Sequence, residues 1–231
     1  MPKPRKVGLM HHEHWLQKFH NVIYRKGPLV YIPTLKNACS YYRSVCLHNY
    51  WDQIEWKDID WDHDHVFSFI SDPITRYFKG LAQDVFNIYF EEDKQVFYEI
   101  LKYSTRTFKD STLVLTFHSL PLYTIYNDYV NKIDWIPLIQ DSDRYFKILC
   151  DNYNISIDLN LESADENKST PQQINFYKEL YQNISNFDDN IFYNLLLCKD
   201  VELFNNVVEK FNLQGTTWEE ISWIRKNVNR T

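Results

Sequence analysis

The chain has 231 residues, 44% of them hydrophobic and 24% charged, and a formal net charge of −6. That length suits one sizeable α/β domain and is short for two. The acidic balance excludes a broad nucleic-acid-binding face, although a local pocket of cations for a nucleotide can sit in an acidic protein. Only 4 glycines are present, so a glycine-rich phosphate loop cannot be built, and neither GxxxxGK[ST] nor GxGxxG occurs.

Residues 1–27 read as an N-terminal lead-in. MPKPRK is a basic, solvated tail, and HHEHWLQKFHNVIY is predicted to form a short helix. His11, His12, His14 and His20 have no nearby Cys or Asp to complete a metal site. The four cysteines, Cys39, Cys46, Cys150 and Cys198, lack CxxC spacing, so no metal is expected. The absence of a signal-peptide pattern and of an 18-residue apolar run predicts a soluble, cytoplasmic, thiol-reduced protein with no membrane partner.

Residues 28–231 read as a single domain. Leu29 to Ile32 is a buried strand closed by Pro33. Residues 39–50 form a helix with Tyr42, Val45 and Cys46 on one face. Residues 51–65 are an acidic, aromatic loop with a short strand, and Val66 to Ile70 is a second strand. Asp72 is a natural N-cap and Pro73 fits the first helical position, so a helix starts there and runs to about Tyr89. A helix follows over 94–103, then strands over 113–116 and 133–139, the latter broken by Pro137. Residues 141–152 form a helix and 162–172 a polar loop. Helices near 172–184 and 188–211 come next, the second interrupted around Asp200. A last helix starts at Thr216, with Thr217 capping toward Glu220. Strands alternating with helices predict a mostly parallel sheet covered on both faces.

Two segments carry the chemistry. PLVYIPTLKNACSYYRS, residues 28–44, and HVFSFISDPITRYFKGLAQ, residues 65–83, each run from an apolar strand through a polar turn into a helix. The first turn offers Lys36 and Ser40 to an anion, and the second offers Asp72, Arg76 and Lys79. A parallel sheet that brings two such turns to one edge makes a phosphate site, because helix N-termini present free N–H groups and a positive dipole end. The plainer alternative for Lys36 is a lysine in an ordinary strand–helix loop.

These segments resemble the PAPS-dependent sulfotransferases, in the carbohydrate branch with Golgi-type, bacterial and viral members. The family's first motif has the form P-K-x-[AG]-[CG]-[ST]. Here the matching run is Leu35-Lys36-Asn37-Ala38-Cys39-Ser40, with the proline displaced to Pro33 and Arg43 close behind. The resemblance implies that Lys36, Asn37, Ala38, Cys39, Ser40 and Arg43 hold the 5′-phosphosulfate of the donor. Lys36 would neutralise the bridging oxygen of the leaving phosphate as the S–O bond breaks. Ser40 would donate its hydroxyl, and the backbone N–H groups of the turn would form an anion nest. The second motif, R-D-P-x-x-R-x-x-S-x-[YF], matches at Asp72, Pro73 and Arg76. Ser71 stands where the family has arginine and Lys79 where it has serine, which moves a cation across one helical turn. Ser71, Asp72, Arg76 and Lys79 are therefore implied to surround the donor's 3′-phosphate, with Lys79 restoring the lost charge. Lys168, in Asn167-Lys168-Ser169, falls where the family has a loop over the donor. Phe117 to Pro121, Ile133 to Ile136 and Leu196 to Phe204 resemble later family segments, so the likeness covers about residues 28–210.

The resemblance implies a three-layer P-loop NTPase-like α/β fold. It further implies in-line transfer of a sulfuryl group from 3′-phosphoadenosine-5′-phosphosulfate (PAPS) to a hydroxyl on a glycan or small metabolite, without a metal. The acceptor hydroxyl needs a base, and His118 is the first candidate. His63 and His65 come second, and Glu91, Glu92 and Asp93 third. Tyr41, Tyr42, Trp51, Trp56 and Trp61 lie near the motifs and either stack on sugar or adenine or pack the core. Two other readings stand beside this one. The substitution at Ser71 motivates a catalytically degenerate binding or structural module on the same fold. A small-molecule P-loop kinase would need Mg²⁺ and a Walker-type loop, and the missing glycines count against it.

Overall fold

The computed structural model describes residues 22–34, 37–73, 75–77, 79–80, 121–138, 142–160 and 198–211. Its sheet begins with an antiparallel hairpin, β1 (Ile23–Lys26) and β2 (Leu29–Tyr31), with Tyr24 opposite Tyr31 and Lys26 opposite Leu29. Gly27 has φ 56°, and Pro28 locks the next residue at negative φ. Those signs match a type II′ turn, whose twist suits a two-residue hairpin. The expected lead-in over 1–27 is corrected here: Ile23 and Tyr24 are buried strand residues, and the boundary at 28 would cut the hairpin at its turn.

α1 (Cys39–His48) follows β2, then β3 (Asp52–Ile54), a 3-10 turn at Trp56–Asp58, and β4 (His65–Ile70). Helical residues follow from Pro73. After residue 120 come α2 (Leu122–Tyr126), a 3-10 segment Asn127–Lys132, β5 (Asp134–Pro137), α3 (Ser142–Asn152) and α4 (Cys198–Lys210). The sheet order is β3-β1-β2-β4-β5. β1 pairs antiparallel with both β2 and β3, whereas β4 pairs parallel with both β2 and β5. The architecture is α/β as expected, but the sheet is mixed rather than mostly parallel. The unexpected antiparallel half comes from β1, which the sequence pattern had assigned to the lead-in.

Strand alternation divides the core into two layers. Leu29, Tyr31, Phe67, Phe69 and Ile136 face Tyr42, Val45 and Cys46 of α1 and Phe146 and Cys150 of α3. Val30, Val66, Ile70 and Trp135 face Leu122 and Tyr126 of α2 and Leu203, Phe204 and Val207 of α4. β4 is therefore covered on both faces, which is why apolar residues fall on both sides of it, at Val66, Phe67, Phe69 and Ile70.

α1 and α3 stop by the same device. Tyr50 and Asn154 each take φ 56°, and the following residue bonds back to the helix, Trp51 N to Cys46 O at 3.0 Å and Ile155 N to Cys150 O at 2.9 Å. This is the Schellman arrangement, in which two orphan carbonyls are satisfied. Asn49 then ties the two ends together: its Nδ2 donates to Asp158 O at 2.8 Å and its Oδ1 accepts from Asp158 N at 2.7 Å.

The expected helix over 39–50 is seen at Cys39–His48, the strand over 133–139 at Asp134–Pro137, and the helix over 141–152 at Ser142–Asn152. Of the helix expected over 188–211, Cys198–Lys210 is described as helical, and residues 188–197 lie outside the described residues. The elements expected over 94–103, 113–116, 162–172, 172–184 and beyond 216 lie outside the described residues. Among the described residues, no helix is long and apolar enough to cross a membrane.

Candidate functional site

β2 and β4 are parallel neighbours, so the turns after them open at the same sheet edge. β2 leads to α1, on the Phe67–Phe69 face. The helical residues after β4 carry Arg76 toward Tyr126 and Asp200, in the opposite layer. Adjacent parallel strands that send their helices to opposite faces leave a crevice at their carboxyl ends, the usual ligand position in open α/β sheets.

Asn37 spans that crevice. Its Oδ1 accepts from Ser71 N at 3.0 Å and from Ser71 Oγ at 2.6 Å, while its own N–H donates to Thr34 O at 3.1 Å. Below it lies a buried hydroxyl chain. Ser68 Oγ donates to Ile32 O at 2.6 Å, so it accepts from Thr34 Oγ1 at 2.6 Å. Thr34 Oγ1 in turn accepts from Tyr126 Oη at 2.6 Å, since its one proton goes to Ser68. The turn after β2 is thus held from beneath by β4 and α2.

The N-terminus of α1 is open. Ala38, its N-cap, sits in the left-handed region at φ 53°, ψ 27°, makes no side-chain cap, and no acid stands in the first turn. A non-glycine residue there costs roughly 1–2 kcal/mol, and such strain concentrates at functional sites. Ala38 and Ser40 are exposed and Cys39 is half-buried. The second turn is closed by contrast. Asp72 Oδ2 accepts from Thr75 N at 2.9 Å and Thr75 Oγ1 at 2.7 Å, the N-cap its sequence predicts.

Three polar atoms at this edge are buried without a hydrogen-bond partner among the described residues: Tyr31 Oη, Asn37 Nδ2 and Asp72 Oδ1. An orphaned buried polar group costs about 1–3 kcal/mol, so each of the three needs a reason. Burial pushes the Tyr31 phenol well above its ordinary value, which keeps it a neutral hydroxyl.

The other expected site residues are distributed as follows. Arg76 is 1% exposed, inside the fold rather than on the crevice surface. Burial pulls its guanidinium below the ordinary value, against the opposing pull of Asp200. Asp200, equally buried, accepts from Leu122 N at 2.6 Å and Tyr123 N at 3.2 Å, capping α2 from another helix. Burial raises its carboxyl, while Arg76 and the two N–H groups pull it down. The Ser71 hydroxyl is committed to Asn37. Lys79 is half-buried on the helical residues after Pro73. Arg43 is exposed and its Nε reaches Tyr24 Oη on β1 at 3.5 Å, away from Ser71. Lys36, His118, Lys168, Glu91, Glu92 and Asp93 lie outside the described residues.

His63 and His65 are corrected as bases for this site. They stand at the start of β4, the opposite end from the crevice. His63 Nδ1 pairs with Asp60 Oδ2 at 2.9 Å. His65 is held by Tyr153 Oη at 2.7 Å and by Asp134 Oδ2 at 3.1 Å, and Lys210 completes that cluster on Asp134. Of the two readings for the aromatics, Tyr42 and Trp51 take core packing. Tyr42 lies flat on Phe69, with ring centroids 3.6 Å apart, and its hydroxyl donates to Asp143 Oδ1 at 2.9 Å. Tyr41 is half-buried and donates to Asp143 Oδ2 at 3.2 Å, and Trp56 and Trp61 are half-buried against Tyr129.

Sequence reasoning missed the bridge from Asn37 to Ser71 and the buried carboxylate of Asp200, which caps α2 and acts on Arg76. Both join residues far apart in the chain, so no local pattern announces them. Searches for similar proteins return no matching family model, no matching curated protein and no matching solved structure.

Proposed function

We propose that this chain is a nucleotide-dependent transferase that binds PAPS at the crevice between β2 and β4 and moves its sulfuryl group to a hydroxyl acceptor. The observation that carries the reading is the Asn37–Ser71 tie, which joins the two motif-bearing turns at one edge. The open, uncapped N-terminus of α1 beside that tie suits the acidic end of a nucleotide. Helices on both faces of a sheet with a parallel half suit the three-layer P-loop-like fold that the motifs imply. Lys36 would stabilise the leaving phosphate and His118 would take the acceptor proton.

A second reading draws on a separate observation. The Ser71 hydroxyl is committed and Arg76 is buried, so two of the four residues implied at the 3′-phosphate face inward. That favours a binding module on the same fold, or a donor lacking the 3′-phosphate. Calorimetric titration with adenosine 3′,5′-bisphosphate, beside adenosine 5′-phosphate and Lys36→Ala, decides. Micromolar binding that requires both the 3′-phosphate and Lys36 supports the transferase. Equal affinity for both nucleotides selects the donor without a 3′-phosphate, and no binding of either selects the module.

A further inference from the structure

We infer that Trp61 and Tyr129 form a docking ledge for an arginine-rich segment of a partner protein, at the sheet edge opposite the crevice. The inference is independent of the transferase reading. Trp61 precedes β4 and Tyr129 precedes β5, and the parallel pairing of those strands brings the two segments together. Both rings are half-buried, with centroids 4.6 Å apart and planes tilted by 35°. Trp56 lies 5.4 Å from each and joins them to the buried Tyr126. Residues three apart eclipse in a 3-10 segment, so Lys132 falls over Tyr129. Its Nζ stands 5.8 Å from the Tyr129 centroid and 6.0 Å from a Trp61 ring centroid, so the ledge already holds a cation. Exposed acids flank both rings in the chain, Asp62 after Trp61 and Asp128 before Tyr129. Neither carboxylate accepts a hydrogen bond or forms an ion pair among the described residues. Electron-rich ring faces beside unpaired carboxylates complement a cation. Rings in mutual contact leave no cage to enclose a quaternary ammonium, so the fitting cation lies flat across them. A guanidinium does so, being planar and weakly hydrated, with donors to spare for the carboxylates. Two unpaired acids suit a segment carrying several arginines, and Lys132 is the placeholder that the partner displaces.

Fluorescein-labelled hexa-arginine, titrated with the full chain and read by anisotropy, tests this. Salt of about 0.15 M limits attraction between exposed charges to about 8 Å, which suppresses the pull of the acidic chain as a whole. Wild type is expected to bind saturably and to prefer hexa-arginine to hexalysine. Trp61→Leu and Tyr129→Leu leave the charge unchanged and should each weaken binding by about threefold or more. Lys132→Met vacates the ring faces and should strengthen binding by about the same factor. Lys132 is exposed, so this variant tests the ledge without disturbing the core. Lys147→Met removes the same charge from the exposed side of α3 and should leave the affinity unchanged. Absence of saturable binding by wild type overturns the inference, as do ring variants that bind like wild type. Equal gains from Lys132→Met and Lys147→Met also overturn it, because they mark attraction to net charge alone. Equal affinity for hexalysine overturns the choice of arginine.

Discussion

Replacing Asp200 by alanine removes two hydrogen bonds and one carboxylate charge from a site 1% exposed to solvent. The backbone N–H groups of Leu122 and Tyr123 end without their acceptor. The carboxylate's attraction for the buried Arg76 guanidinium is lost as well. Loss of a helix cap costs about 0.5–2 kcal/mol and a buried donor left unsatisfied about 1–3 kcal/mol, so a loss of about 2–4 kcal/mol is expected. Against a typical total of about 5–15 kcal/mol, Asp200→Ala should shift the urea midpoint far enough to read by tryptophan fluorescence. Asp200→Asn keeps an acceptor for one N–H but not the charge, and should recover only part of the loss. Pairing Asp200→Ala with Arg76→Met measures how far the two side chains act on one another, since coupled residues lose less together than the sum of their separate losses. An Asp200→Ala variant within about 1 kcal/mol of wild type, or a double variant whose losses simply add, would refute the claim that these two residues are coupled.

Four further substitutions have expected outcomes. Burial would raise the Asp134 carboxyl, but hydrogen bonds from His65 and Lys210 outweigh it and hold the group below its ordinary value. A lowered folded value means stabilisation that is complete above the unfolded value, near pH 4, and lost as pH falls through the folded one. Urea midpoints measured from pH 6 to pH 2 should therefore fall less steeply for Asp134→Asn than for wild type; parallel profiles would contradict this. Gly27→Ala meets nothing closer than Ile155 Cδ1 at 3.9 Å, so any loss comes from φ 56° and should be about 1–2 kcal/mol by denaturant titration. Tyr42→Phe deletes the hydroxyl that donates to Asp143 and should cost about 1–2 kcal/mol. Tyr41→Phe should cost less, and the Tyr41 phenol, pushed up to about 12 by burial and by Asp143, should ionise later than an exposed tyrosine in an ultraviolet titration.

The sequence made the buried strands and their helices readable, because their signals are local. Val66 to Ile70 is an apolar run broken only by Ser68, Asp72-Pro73 is a cap followed by a first-turn proline, and α3 opens on Ser142 and Asp143. β1 was hidden for a physical reason. Arg25 and Lys26 sit in it half-buried, with Arg25 paired to Asp64 and Lys26 bonded to Asn49 O, so charge masks the strand pattern. The Gly27-Pro28 pair between two apolar runs was the available signal for the hairpin. At the site, composition and spacing placed both turns at one edge. They could not separate a residue at the surface from one a helical step away in the interior. Arg76 lies four residues after its cap and is buried, where the charge of Asp200 acts on it, and the local sequence reveals neither.

The division of the sheet into an antiparallel half and a parallel half also orders its assembly in time. β1 and β2 are joined by a two-residue turn and can pair within microseconds of emerging. The parallel pairs, Leu29 with His65 and Phe67 with Asp134, close long loops and are slow to form. During synthesis the hairpin, α1, β3 and β4 are all available before β5 exists. Until β5 arrives, β4 presents an open, apolar edge of the kind that invites association between chains. The same strand that delivers Ser71 to Asn37 is thus the segment most exposed to misassembly while the chain is still growing.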